Sequence, residues 1–100
     1  MSIRHIVLWK LATEDATEKA QQTEEIRVAL EALIEEIPQV QGLSVRPNVL
    51  HHGENYDVVL DSFFENADGL AAYASHPAHV RAGAVVKQYA QSRAAVDIEF

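Results

Sequence analysis

An α+β fold, with a four-stranded antiparallel sheet and helices laid on it, is predicted by three observations. Short β-branched apolar runs recur at positions 3–11, 43–50, 56–64 and 94–100. Between them lie segments whose apolar residues return at the helical period of about 3.6 residues. The hydrophobic share, 48% of 100 residues, is enough for one packed core and too high for a disordered chain. The chain is therefore read as a single domain over residues 1–100.

Ile3 to Leu11 (IRHIVLWKL) is apolar on both alternating faces, which suits a central strand covered on both sides. A helix follows, because Asp15 three residues before Glu18 has the spacing of a capping box. Ile26, Leu30, Leu33, Ile34 and Ile37 share one face of that helix, and Glu24, Glu25, Glu31, Glu35 and Glu36 are expected on its solvated side. Pro38 ends it by disfavouring the α conformation in the residue before. The second strand, Leu43 to Leu50, contains Pro47, which cannot donate a ladder hydrogen bond and so marks an edge strand or a bulge. His51, His52, Gly53, Glu54 and Asn55 form a polar turn into the third strand, Tyr56 to Phe64, making a hairpin. Asn66 or Asp68 caps a short helix carrying Leu70 and Tyr73. His76-Pro77 ends that helix, and Pro77 suits the first turn of another that runs to about Gln91. In the last strand, Ala94 to Phe100, Val96, Ile98 and Phe100 alternate with Asp97 and Glu99. The order β-α-β-β-α-(α)-β is the split βαβ pattern of ferredoxin-like folds.

Such crossovers put the helices on one face of the sheet. The first strand, however, offers Ile3, Val7 and Trp9 on one side and Ile6 and Leu8 on the other. The third offers Val58 and Leu60 against Val59 and Phe63. Two apolar faces and one helix layer leave a face that needs cover, and a second copy of the chain, packed sheet to sheet as a homodimer, is the simplest cover.

Composition narrows the function. A net charge of −7 argues against a nucleic-acid partner, since that affinity rests on clustered Lys and Arg. Eight of the fifteen acids fall in residues 14–36, so much of that charge coats one helix. No apolar run approaches the roughly 20 residues that span a bilayer, and no signal-peptide plan opens the chain. Without Cys there is no disulfide scaffold, thiol nucleophile or Cys-type zinc site. A cytoplasmic protein with no membrane partner is expected. The four glycines are isolated, so no phosphate loop exists, and the serines form no nucleophile elbow.

The segment Tyr73-Ala-Ser-His76-Pro-Ala-His79-Val-Arg81 gathers a phenol and two imidazoles at a helix junction, groups suited to acid/base work near neutral pH. Pro77 fixes the backbone and can aim His79 toward a cleft between helices and sheet, with His76 beside it; the alternative is that His76 caps or packs the junction while Tyr73 is an ordinary helix-face aromatic. His5 shares the face of Ile3, Val7 and Trp9; if that face lines a cavity, His5, Val7 and Trp9 bind whatever fills it. His76-x-x-His79 has a metal-ligand spacing, but a third ligand would have to come from a distant residue, with nothing to choose between Asp57, Glu54 and His5, so no metal and no cofactor are expected.

Ile3 to Leu11, the Ile37-Pro38 helix end, Tyr56-Asp57 and the Tyr73-x-x-His76-Pro77-x-His79 segment together resemble the stress-responsive dimeric α/β-barrel (Dabb) domains, across nearly the whole chain. The resemblance implies a ferredoxin-like fold whose sheets pair into an eight-stranded barrel. A plant polyketide cyclase of that family performs an intramolecular aldol condensation without metal or cofactor. Its catalytic Tyr and His fall on Tyr73 and His79, and its strand-one pocket His on His5. A further pocket His of that enzyme has no match, because the third strand here begins Tyr56-Asp57-Val58-Val59. Three functions are thus in play. The first is a homodimer with a pocket for a small aromatic or polyketide-like molecule and cofactor-independent acid/base chemistry. The second is a non-catalytic stress-protective or ligand-binding dimer, and the third a cofactor-independent monooxygenase-like enzyme.

Overall fold

Strand β1, Ile3–Leu11, opens the fold and becomes one of its two inner strands, in a computed structural model that describes Met1–Phe100. Helix α1 (Ala16–Glu31) follows, capped by Asp15, whose carboxylate accepts from Glu18 N at 2.9 Å. The helix expected up to Pro38 passes through a slight irregularity at Ala32, whose backbone stays helical and whose amide still donates to the Val28 carbonyl at 3.2 Å, into a last turn, α2 (Leu33–Glu36). Ile34 lies at the margin of the apolar face, 42% exposed, and the buried stripe runs through Thr23, Ile26, Leu30, Leu33 and Ile37. Glu31 is also not a solvated acid: it accepts from Arg27 at 2.8 Å and from the Val45 amide at 3.1 Å, tying α1 to the sheet.

Strand β2 spans Val40–Pro47, about three residues earlier than the sequence suggests, and β3 spans Val58–Phe64. The sheet order is β2-β3-β1-β4, with every neighbouring pair antiparallel. Pro47 therefore ends an edge strand, where its missing N–H costs no ladder bond. The connecting loop turns at His51 and Gly53, both with positive φ. Asp57 closes it from inside. Its carboxylate, 5% exposed, accepts from the Leu11 amide at 2.8 Å and from Lys19 Nζ at 3.0 Å.

Helix α3 (Ala67–Ser75) is capped by Asn66, and α4 (Pro77–Tyr89) follows after the single residue His76. No loop separates α4 from the last strand. Strand β4 (Ala90–Glu99) starts at the next residue, four positions before the alternation of Val96 and Ile98 reveals it. The joint is pinned on both sides: the Ala12 amide donates to the Tyr89 carbonyl at 2.9 Å, and the Tyr89 hydroxyl donates to Glu25 at 2.7 Å.

Register sets the two faces. Val7 lies opposite Leu60 and Ala95, so odd-numbered β1 residues face the helices with Val58, Leu60, Ser62 and Phe64. The core forms there, from Val7, Trp9, Leu11, Leu43, Val45 and the inner sides of the helices. The other face bears no helix. It presents Ile6, Leu8, Val59, Phe63, Val96 and Ile98 around a two-pronged Arg4–Asp61 ion pair with bonds of 2.9 and 2.8 Å. Arg4 lies over the Phe63 ring, 5.4 Å from its centroid, and Phe100 meets the same ring edge-on. No helix is long and apolar enough to cross a membrane.

Candidate active site

A cavity of about 410 Å³ lies between the helix layer and the β1–β4 side of the sheet. Its size falls within the range of about 300–1,000 Å³ common for small-molecule sites. Strand β1 contributes His5, Val7 and Trp9 to the lining, all three projecting toward the helices as the alternation requires. Tyr73 enters from α3 and His79 from α4.

The α3–α4 junction brings those two together. His76 has extended backbone angles, φ −65° and ψ 136°, so the chain turns sharply between two helices. Pro77 at the first helical position stabilises the new helix without losing a hydrogen bond. The turn folds His79 back against Tyr73, with ring centroids 4.5 Å apart in an edge-on arrangement. On its other side Tyr73 packs against Phe64 at 5.0 Å. Its hydroxyl is buried and has no hydrogen-bond partner. A buried donor left unpaired is costly, so such a hydroxyl needs a guest or a water to satisfy it.

The local electrostatics assign protonation states. Burial pushes the Tyr73 phenol up to about 12, so it stays protonated and able to donate. Burial also pulls His79 below its ordinary value of 6.5; a hydrogen bond to the Ala74 backbone opposes this, and the nearby His5 and Arg93 reinforce it. His79 also sits in the first turn of α4, where the helix dipole disfavours a second proton. The pair is a neutral imidazole beside a neutral phenol: a base and a hydrogen-bond donor.

His5 is held from behind. Its Nδ1 is hydrogen-bonded to the Asp97 carboxylate, and its backbone carbonyl accepts from the buried Ser62 hydroxyl at 2.9 Å. Asp97 drew no attention in the sequence, where it alternates with apolar residues like any solvated acid. The signal was the alternation itself, since the antiparallel register sets Asp97 directly opposite His5. Lys87, Arg93 and Gly83 also line the cavity, on segments whose sequence carries no sign of it.

His76 does not line it. Its Nδ1 accepts from the Ala78 amide at 3.0 Å, so the imidazole is the N-cap of α4, and of the two roles open to it the structure selects the cap. His51 and His52 lie in the exposed loop. No three His, Asp or Glu side chains are grouped so as to hold a metal ion.

The sequence pattern of the stress responsive A/B barrel domain matches residues 3–100. The chain belongs to that family. A dimeric protein of unknown function and ferredoxin-like fold from Bacteroides fragilis is 37% identical to this Dabb chain. The match covers 99% of this chain and 96% of that one, with a TM-score of 0.89. A dimeric ferredoxin-like protein of unknown function from Thermobifida fusca is 27% identical, with coverage of 100% and 92% and a TM-score of 0.82. The hydroxynitrile lyase of Passiflora edulis shares the fold of the Dabb chain at 11% identity, with coverage of 97% and 91% and a TM-score of 0.77. No curated protein matches the chain.

Proposed function

We propose that this Dabb protein is a homodimer, paired through its open sheet faces, whose protomers each bind a small carbonyl compound and abstract a proton next to the carbonyl. One observation carries the chemistry. The buried, unpartnered Tyr73 hydroxyl lies beside the neutral His79 imidazole in a cavity of small-molecule size. His79 takes the proton, the C–H electron pair moves into the enolate, and Tyr73 donates a hydrogen bond to the oxygen that gains the charge. The enolate carbon then attacks a second carbonyl, as in an aldol-type closure, and His79 returns the proton to the new alkoxide. General-base catalysis supplies about 10²–10⁴-fold in rate, and one oriented donor a further factor of about 10² or more. His5, fixed by Asp97, hydrogen-bonds a second ligand oxygen.

The dimer reading rests on the uncovered apolar face and is supported by the dimeric relatives from Bacteroides fragilis and Thermobifida fusca.

Proton abstraction is testable before the natural substrate is known. Small aryl ketones incubated with the protein in D2O are expected to gain deuterium at the α-carbon, read by NMR. His79→Ala is expected to slow that exchange by about 10²–10⁴-fold with an unchanged circular dichroism spectrum. A ketone that binds without exchanging in the native protein would defeat the catalytic reading and leave a ligand-binding dimer.

A further inference from the structure

The cavity holding Tyr73 and His79 has a charged rim, and its sign is opposite to that of the chain. Fifteen acids and eight Lys or Arg give the protein a net charge of −7. Yet no Asp or Glu lines this cavity, whereas Lys87 and Arg93 do. The two stand on either side of the α4–β4 joint, Lys87 in the last turn of the helix and Arg93 near the start of the strand. Register sets Arg93 opposite Trp9, which places it on the helix side of the sheet. Its charge is felt at His79, where it disfavours a proton. Of the six cations elsewhere, Arg4, Lys19 and Arg27 are paired with Asp61, Asp57 and Glu24/Glu31, while Lys10, Arg46 and Arg81 are unpaired but do not line this cavity. Lys87 and Arg93 take part in no ion pair. Asp97, on the same strand as Arg93, is engaged by His5.

We propose that the substrate of this pocket is a small carbonyl compound bearing a carboxylate, held at the rim by Arg93 and Lys87 with its carbonyl delivered to Tyr73 and His79. The proposal rests on the reading of the cavity as a proton-abstraction site and adds the substrate class. A guanidinium meets a carboxylate through two parallel N–H bonds, and an ammonium adds a mobile point charge. Between rim and floor the walls are apolar, formed by Val7, Trp9, Leu60 and Val86, and suit an aromatic or aliphatic body. Anion outward and carbonyl inward is the orientation that desolvates the reacting end while the charge stays at the hydrated mouth.

Trp9 is the chain's only tryptophan and lines the cavity, so its indole N–H resonance reports occupancy. The probes are 4-acetylbenzoate and its neutral counterpart 4-acetylbenzamide, which share body and ketone and differ in charge. The native protein is expected to bind the acid about tenfold more tightly than the amide at low salt, with the preference shrinking as salt rises. The double variant K87Q/R93Q changes two exposed side chains, and is expected to bind the acid no better than the amide while its amide affinity is unaltered. Tyr73→Phe is expected to weaken both probes by one common factor and keep the preference. Equal affinity for acid and amide in the native protein, or a preference that survives K87Q/R93Q, overturns the proposal while the pocket reading stands. A Trp9 resonance that responds to neither probe overturns both.

Discussion

Asp57 shows how much one side chain can hold in this molecule. Its carboxylate satisfies the Leu11 amide at the end of β1 and neutralises Lys19 of α1, while its own backbone N–H donates to the Trp9 carbonyl at 2.8 Å. Asp57→Ala would strand a buried amide and a partly buried ammonium together. A loss of about 3 kcal/mol is expected in urea-unfolding experiments, with Asp57→Asn losing less because the amide acceptor survives. His79 stores energy of a different kind. Its proton affinity is lowered by burial, so the folded state disfavours the imidazolium. The sign follows from linkage: the stability tied to neutral His79 is fully present above 6.5 and is lost as pH falls through the depressed folded value. Ketone exchange is expected to be flat through neutral pH and to fall only below 6.5, and His79→Ala is expected to soften the acid side of the stability profile.

The elements divide according to how local their causes are. Strand β1, the Asp15 cap, the Pro77 helix start and the edge position of β2 could all be read from residues within one turn or one alternation of each other. Where the reading slipped, a distant partner had intervened. Glu31 has the spacing of a solvated acid and turns inward because β2 offers it an unpaired amide. The first residues of β4 look helical or neutral, Ala-Gln-Ser-Arg, and become a strand only because β1 lies alongside to pair with them. For the same reason the site was half legible. Residue type marks Tyr73 and His79 as candidates, and it is the family resemblance that gives them a pocket role; the β1 residues follow from alternation, whereas Arg93 and Asp97 are brought to the cavity side through register alone. His76 belongs at this scale too, as the cap of α4. His76→Ala is expected to lower stability by about 1 kcal/mol in thermal unfolding and leave probe affinity in the pocket unchanged.

At the scale of the whole molecule the question is what covers the helix-free face. Phe63 sits toward one end of that face, one step from the last β1–β3 pair, with Arg4 over its ring and Phe100 edge-on to it. Phe63→Glu would place a charge on the face through which the proposed dimer pairs and leave the helix-side core untouched. Light scattering is expected to give the mass of one chain for that variant and of two for the native protein, with matching circular dichroism; the mass of one chain for the native protein would defeat the sheet-to-sheet reading. The acids of α1 lie on the far side of the molecule from that face, so the protein's negative charge does not oppose pairing. The joint at Tyr89–Ala90 bears on the molecule's timing. A helix that becomes a strand without an intervening loop, pinned to Ala12 and Glu25, leaves nothing to swing aside as a door. For the proposed ligand, passing the exposed Lys87 and Arg93 side chains, which reorient within nanoseconds, association is expected to proceed in a single kinetic phase whose rate rises linearly with ligand concentration.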